Sequence, residues 1–415
     1  MTNNLVPIVH NYLSMSDTIP VTVLSGALGA GKTTTLNHVL TEDHGHEVAV
    51  LVNDMGDVNI DVEHIEQQSE LSQADEEVIE MSNGCICCRL RGDMLDAVGE
   101  LVENREFDYL LVESSGISEP IPVAQTFALG FEDTEYDPTD DYHLDTMVSV
   151  VDAHAMYKGF DSGKALTSDE PAAGTDRVPE EVLLDQIEFC DVLLLNKCDL
   201  VPSADLDEIE AVLKALQPRA KLVRTEFGRV DPGEILDTGR FDFEEAQNSA
   251  GWKHELQGGH HHDAAAEEHG VESFVFRADR PFHPERFADL LRNLPSAIIR
   301  AKGFFWSAGR EDVAMGLDKA GQSVRAGPQG QWIVTLPKQQ QQRYLQATPG
   351  REDEWDDQWG DRGAKLVFIG RNFEAAEMKA WLEDCLLSDT EMDEDWSTYP
   401  DPFGVEEREL ALADD

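Results

Sequence analysis

The segment at residues 26–33, which reads G-A-L-G-A-G-K-T, constrains the fold more than any other part of the chain. It matches the pattern G-x-x-x-x-G-K-[ST] and lies between a short apolar run and a helix-forming stretch, the context that a phosphate-binding loop requires. Glycines let the backbone curl so that its N–H groups point at phosphate oxygens, and the helix N-terminus adds a favourable dipole. The segment therefore predicts a nucleotide-binding α/β domain rather than a glycine-rich turn without a ligand.

The same loop predicts individual roles for its polar residues. Lys32 should reach the β- and γ-phosphates of a nucleotide, and the Thr33 hydroxyl should ligate Mg²⁺. The predicted nucleotide-binding residues of the segment are Gly26, Leu28, Gly29, Ala30, Gly31, Lys32, Thr33 and Thr34.

Apolar runs alternate with helical stretches over about residues 20–230. The runs are nearly all apolar, as strands buried on both faces of a parallel sheet must be. The predicted strands are residues 21–25, 48–53, 109–113, 147–151, 192–196 and 222–225, and the predicted helices are 32–40, 89–104, 179–189 and 203–216. This alternation predicts a doubly wound, mostly parallel α/β sheet.

The rest of the chain divides by composition. We expect a lead-in at 1–19, an acidic His-rich linker at 231–270, a smaller α+β domain at 271–388 and an acidic tail at 389–415. In the smaller domain the pattern predicts strands at 273–277, 297–307 and 367–370, helices at 284–294 and 373–387, and a surface loop at 337–363.

The net charge is extreme, with 83 acidic residues against 32 basic ones and a formal value of −51. An acidic tail does not explain it, because the acids run through every segment. A nucleic-acid partner is disfavoured, because phosphates would be repelled over most of the surface. Acidic surfaces suit a high-salt cytoplasm, where the short Debye length screens self-repulsion.

Targeting signals are not apparent. No stretch approaches the roughly 18 apolar residues of a membrane span, and the first residues lack the basic and apolar regions of a signal peptide. We therefore expect a cytoplasmic protein with no membrane partner. Whether it forms a homo-oligomer stays open.

Two further motifs follow predicted strands. Asn196, Lys197 and Asp199 belong to N-K-C-D, in which the Asp carboxylate can accept two hydrogen bonds from guanine, whereas adenine offers no such donor pair. Glu113, at the end of another strand, could hold Mg²⁺, and Gly116 could offer its N–H to a γ-phosphate. The alternative for each motif is a polar turn that ends a strand.

Three thiols fall within four residues, at Cys85, Cys87 and Cys88. Thiolates suit Zn²⁺, Cu(I) and other thiophilic ions, and three ligands leave a position open for transfer. A buried apolar turn and a redox pair are the alternatives. The histidines at 260–262 could also capture metal, or form a solvated loop.

Taken together, these motifs resemble the metal-handling P-loop GTPases, and most of all their CobW-type metallochaperones, which include zinc chaperones. The resemblance rests on G-A-L-G-A-G-K-T-T at 26–34, A-V-L-V-N-D-M-G-D at 49–57, N-G-C-I-C-C at 83–88, E-S-S-G at 113–116 and N-K-C-D at 196–199. The stretches 274–287 and 301–306 are similar to the CobW C-terminal domain. One departure is N-D-M-G at 53–56, where the family usually carries N-E-F-G.

The resemblance implies hydrolysis of GTP to GDP and phosphate, with Lys32, Thr33 and Glu113 as the catalytic residues and Mg²⁺ as cofactor. It implies that the C-x-C-C thiols bind Zn²⁺, or else Co²⁺, for delivery to a client metalloprotein. His154 is similar to a family position near the metal path. A non-catalytic metal buffer or sensor, and a cobalt-handling GTPase of cobalamin synthesis, are the alternatives.

Overall fold

The computed structural model describes residues 18–52, 78–80, 98–99, 101–102, 107–129, 136–162, 177–256, 269–347, 355–404 and 408–409. Its first sheet has seven strands in the order β3-β2-β4-β1-β5-β6-β7, and all the pairings are parallel. The strands are β1 Ile19–Ser25, β2 Val48–Val52, β3 Val78–Glu80, β4 Tyr109–Glu113, β5 Tyr142–Asp152, β6 Val192–Asn196 and β7 Lys221–Arg224. The predicted doubly wound parallel sheet is confirmed.

Helices flank this sheet and connect its strands. They are α1 Lys32–Thr41, α2 Pro120–Ala128, α3 Ala153–Ser162, α4 Pro179–Phe189 and α5 Ser203–Leu216. Helix α2 was not predicted, and strand β3 is too short to give a pattern. Most of the helix predicted at 89–104 lies outside the described residues, although 98–99 and 101–102 are helical.

The segment expected as a linker contains ordered structure in its described part. Helices α6 Phe243–Asn248 and α7 Gly251–Leu256 form there, and Ile235, Leu236 and Ala246 are buried against the first sheet. Over 231–256 the segment predicted as a linker instead packs against the first sheet, because a few apolar side chains among many acids suffice to anchor it. The histidines at 260–262 lie outside the described residues.

The second sheet is antiparallel, in the order β13-β11-β10-β9-β12-β8. Its strands are β8 Val271–Ala278, β9 Ile298–Phe305, β10 Val313–Ala320, β11 Ser323–Gln331, β12 Ala364–Arg371 and β13 Arg408–Glu409. Its helices are α8 Pro284–Arg292, α9 Lys338–Ala347, α10 Ala375–Asp384 and α11 Asp389–Met392. Helix α9 lies where a surface loop was predicted.

The acidic tail is anchored to the second domain over its described part. Phe403 is fully buried, with its ring 5.4 Å from that of Phe305, and Trp396 packs on Trp306 at 5.8 Å. Two aromatic residues of the tail are therefore enough to anchor it despite the charge around them.

The two sheets share one hydrophobic cluster. Leu184 and Leu213 of the first domain pack in the same cluster as Ile299, Val367 and Ile369 of the second. Within the described part of the chain, no helix is both long enough and apolar enough to cross a membrane.

Candidate nucleotide site

The residues predicted to bind nucleotide and Mg²⁺ lie at or follow the carboxyl edge of the parallel sheet. The phosphate loop follows β1, Glu113 ends β4 and Asn196 ends β6. These three strands run in parallel, so their carboxyl ends meet at one edge, where doubly wound sheets bind ligands.

The glycines of the phosphate loop hold conformations and spaces that other residues could not. Gly26 and Gly31 have φ values of 139° and 109°. A Cβ on Gly26 would lie 2.2 Å from the carbonyl oxygen of Val150, and one on Gly31 would lie 2.3 Å from Nδ2 of Asn196. Gly29 also has a positive φ, of 73°. The loop is therefore fixed against both β5 and the N-K-C-D motif.

Lys32 and Thr33 begin helix α1, and their side chains turn back towards the sheet edge. The buried Lys32 donates from Nζ to the carbonyl oxygens of Gly26, at 2.9 Å, and Ala27, at 3.2 Å. The Thr33 hydroxyl donates to Oε1 of Glu113 at 2.8 Å. This convergence of a hydroxyl and a carboxylate beside the loop fits Mg²⁺, which prefers oxygen ligands.

The segment after Glu113 lies against the phosphate loop. A Cβ on Gly116 would lie only 2.7 Å from the backbone nitrogen of Leu28, and the N–H of Ser114 donates to the carbonyl oxygen of Leu24 at 2.9 Å. Leu28 itself is largely exposed, and so is Thr34. Gly116 is therefore in position for its backbone to face a phosphate at the loop.

Asn196 is buried, and its side chain makes three hydrogen bonds within the site. Its Nδ2 donates to the carbonyl oxygen of Ala30 at 2.9 Å, and its Oδ1 accepts from the Thr225 hydroxyl at 3.1 Å and from the N–H of Gly228 at 3.0 Å. The side chain thus fastens the phosphate loop to the loop that follows β7. Asp199, three residues on, is exposed.

Lys197 and His154 share a neighbour that the sequence did not single out. Lys197 has a left-handed φ of 63°, and its Nζ donates to Oδ2 of Asp152 at 2.7 Å. The other oxygen of Asp152 accepts from the N–H of His154 at 2.9 Å. Nδ1 of His154 is buried and has no hydrogen-bond partner among the described residues. The signal for Asp152 in the sequence is an acidic residue at the end of a strand. Acidic residues are so common in this chain that this signal does not distinguish Asp152 from the others.

The predicted metal ligands Cys85, Cys87 and Cys88 lie outside the described residues, and so does the segment 53–57 that contains N-D-M-G. Among those that are described, no group of three or more His, Cys, Asp or Glu side chains could hold a metal ion. The cysteines of the described part, Cys190, Cys198 and Cys385, are buried, and burial raises the pKa of each thiol, that of Cys385 to about 11.

A seven-stranded parallel sheet with a phosphate loop after β1 and N-K-C-D after β6 has the architecture of a P-loop GTPase. The sequence matches the family profile "CobW/HypB/UreG, nucleotide-binding domain" over residues 20–224. Residues 271–386 match the "Cobalamin synthesis protein cobW C-terminal domain". The chain belongs to the CobW/HypB/UreG family, in its branch with the CobW C-terminal domain.

Several named proteins are similar to the chain along most of its length. "Zinc-regulated GTPase metalloprotein activator 1" of Dictyostelium discoideum is 39% identical over 94% of this chain and 85% of its own. "Zinc chaperone YjiA" of Escherichia coli is 27% identical over 87% of this chain and 97% of its own. The crystal structure of zinc-bound YjiA GTPase from E. coli has a TM-score of 0.39 at 23% identity, and the match covers 89% of this chain and 99% of that one.

Proposed function

We propose that this chain binds zinc at its C-x-C-C thiols and uses GTP to deliver the metal to a client metalloprotein in the cytoplasm. The observation that carries the proposal is the 39% identity over 94% of the chain to a protein named as a zinc-regulated GTPase metalloprotein activator. Cys85, Cys87 and Cys88 supply the thiolate chemistry that such cargo requires.

The chain is a GTPase, and its own residues can be given roles in that reaction. Lys32 moves from the carbonyl oxygens of Gly26 and Ala27 to the β- and γ-phosphates, which are stronger acceptors for an ammonium group. Thr33 and Glu113 would hold Mg²⁺, whose charge neutralises the phosphate oxygens when it is bound. The N–H of Gly116 orients the γ-phosphate.

Base recognition falls to the N-K-C-D motif. The exposed Asp199 carboxylate accepts from the N1–H and exocyclic amine of guanine. Lys197 stays fixed by its bond to Asp152, and Asn196 acts by holding three loops together rather than by reading the base. Selectivity thus depends on one side chain, and the geometry of the pocket depends on its neighbours.

The test is GTP turnover with and without one equivalent of Zn²⁺, with a metal chelator in the zinc-free arm. The wild-type protein should turn over GTP slowly and change its rate several-fold with zinc. A variant with Cys85, Cys87 and Cys88 changed to Ser should keep the zinc-free rate and lose the response, and Lys32→Ala should lose both. Turnover in the wild-type protein that ignores zinc would contradict the proposal and favour a metal buffer or sensor.

A further inference from the structure

Phe227 is a large apolar residue whose exposure to solvent and backbone conformation are both unfavourable. Its side chain is 64% exposed. Its φ is 55°, in the left-handed region that bulky L-residues rarely occupy. Exposure and backbone strain both oppose folding, and strain of this kind persists where the surrounding structure enforces it, often at ligand sites.

On one side, the loop of Phe227 is fastened to the guanine motif. The Thr225 hydroxyl and the Gly228 N–H both donate to Oδ1 of Asn196, at 3.1 and 3.0 Å. The N–H of Cys198 donates to the carbonyl oxygen of Thr225 at 3.2 Å. Residues on both sides of Phe227 are therefore bonded to N-K-C-D, so the loop that carries the exposed ring is held beside this motif.

On its other side, the same loop touches the phosphate-loop helix. A Cβ on Gly228 would lie 2.7 Å from the backbone nitrogen of Thr35, in the first turn of α1. The guanidinium of Arg229 lies 6.0 Å from the Phe227 ring centroid. The ring thus belongs to the loop that joins the phosphate-binding and base-binding halves of the site.

We propose that Phe227 covers one face of the purine base and holds the nucleotide by stacking. A flat, exposed aromatic ring beside a base-binding motif suits the flat face of a base, and burial of both surfaces offsets the exposure of the ring in the free protein. Stacking does not distinguish one purine from another, because every base has a π-face. Phe227 therefore supplies affinity, whereas Asp199 supplies the choice of guanine. This inference rests on the proposed nucleotide site.

The experiment compares the affinity of full-length variants for GDP and for inorganic tripolyphosphate, which has no base. Phe227→Ala should weaken the affinity for GDP about 5- to 150-fold. This range corresponds to the about 1–3 kcal/mol that stacking of one base on an aromatic ring contributes, at about 1.4 kcal/mol for each factor of ten in affinity. Tripolyphosphate, measured by displacement of a fluorescent GDP, should bind as before. Phe227→Tyr should bind GDP like the wild-type protein.

Two further variants separate stacking from damage to the fold. Phe227→Gly removes the ring and also relieves the strain of the left-handed backbone. The variant should therefore unfold at or above the wild-type temperature, yet bind GDP more weakly than the wild-type protein does. Phe304→Ala removes another exposed aromatic ring, from the second sheet, and should leave GDP affinity unchanged. Asp199→Asn should alter the preference between guanine and xanthine nucleotides, which Phe227→Ala should not.

The outcomes distinguish this inference from the proposed function. GDP affinity in Phe227→Gly equal to that of the wild-type protein would overturn the stacking role and leave the GTPase assignment intact. An equal loss of GDP and tripolyphosphate affinity would also overturn it, because the loop would then act on the phosphates. Failure of the wild-type protein to bind GDP at all would overturn both.

Discussion

Gly116 lies three residues beyond Glu113 and is packed against the phosphate loop. Gly116→Ala would bring a methyl group to 2.7 Å from the backbone nitrogen of Leu28. Overpacking of this kind costs about 1–3 kcal/mol of free energy, and a tenfold change in rate corresponds to about 1.4 kcal/mol. If that cost falls on the catalytic geometry, Gly116→Ala should lower GTP turnover by about 5- to 150-fold.

The matched control is Gly330→Ala, because a Cβ at Gly330 meets no atom within 4 Å. It should leave turnover and thermal stability unchanged. If Gly116→Ala turns over GTP as fast as the control variant does, the segment after Glu113 does not approach the γ-phosphate.

At the scale of single residues, the sequence predicted the components of the site better than their connections. Lys32, Thr33 and Glu113 were singled out because each occupies a fixed place in a motif, and the structure brings them to one edge. The bond between Lys197 and Asp152 spans 45 positions. Asn196 belongs to the guanine motif, but its amide bonds to the phosphate loop and to the loop after β7. Such pairings depend on strand order, which no local pattern contains.

At the scale of elements, prediction succeeded where a pattern was strong. Helices α4 and α5 begin and end at the predicted residues, and α4 carries a proline at its first position, where a helix tolerates it. Strands β10 and β11 were missed because they contain Gly316, Lys319 and Pro328, which lower β-propensity. These strands form despite their composition because β10 pairs with β9 and β11 pairs with β10.

Helix α4, Pro179–Phe189, lies between the nucleotide site and the second sheet. Gln186 donates to the carbonyl oxygen of Ser118, two residues after Gly116, at 3.0 Å. On the side of the second sheet, helix α4 bonds to Arg300 of β9, whose side chain is 1% exposed. Arg300 forms ion pairs with Glu188 at 2.6 Å and with Asp185 at 3.2 Å. A shift of the segment after Glu113 would therefore reach the second domain through one helix.

Arg300 should be a major determinant of stability. It also bonds to Asp318 at 2.6 Å. Arg300→Met would therefore remove the cation that three largely buried carboxylates share, although Asp185 keeps Arg177 and Asp318 keeps Lys302. Breaking a buried ion pair in this way costs about 3–5 kcal/mol in the free energy of unfolding. Arg292→Met, which removes an exposed pair with Asp289, should cost about 0.5 kcal/mol or less.

The pH dependence gives a second readout for the same variant. Burial acts to raise the pKa of Asp318, but Arg300 and Lys302 outweigh burial and hold that pKa below its ordinary value. In the wild-type protein, stability from Asp318 is therefore lost as pH falls through the lowered pKa. Without Arg300 the pKa of Asp318 should rise, because protonation then relieves a buried charge.

The destabilisation by Arg300→Met should accordingly be largest near neutral pH and shrink towards about pH 4. Urea unfolding of both arginine variants at several pH values measures it. A destabilisation that is constant across that range, or equal to that of Arg292→Met, would contradict this account of the interface.

At the scale of the whole molecule, charge is the dominant property. The formal net charge is −51, and we infer from it a high-salt cytoplasm. The Debye length is about 3 Å at 1 M salt and about 10 Å at 0.1 M, so dilution lets carboxylates repel one another over longer distances. The melting temperature should fall on dilution from molar KCl to 0.1 M, and scanning calorimetry can measure the change. A melting temperature that holds or rises would refute the high-salt inference.

For the molecule as a whole, we expect the affinity for metal to be coupled to the nucleotide that is bound. Cys85, Cys87 and Cys88 lie in the chain between residues 53–57, which follow β2, and Glu113, which ends β4. Because both parts come at the carboxyl ends of parallel strands, we expect them to lie near the γ-phosphate and to respond to its loss. A thiol site attached to both should bind metal differently in the GTP and GDP states. By linkage, metal must then shift nucleotide affinity by the same factor.

The most direct measurement is a Zn²⁺ titration of the protein loaded with GDP or with a non-hydrolysable GTP analogue. The variant with all three cysteines changed to Ser serves as the control. We predict that the two wild-type affinities differ by about 5- to 150-fold, the usual range of allosteric coupling, and that the variant shows no such difference. Wild-type affinities that agree within error would contradict the account, because GTP could not then drive metal delivery.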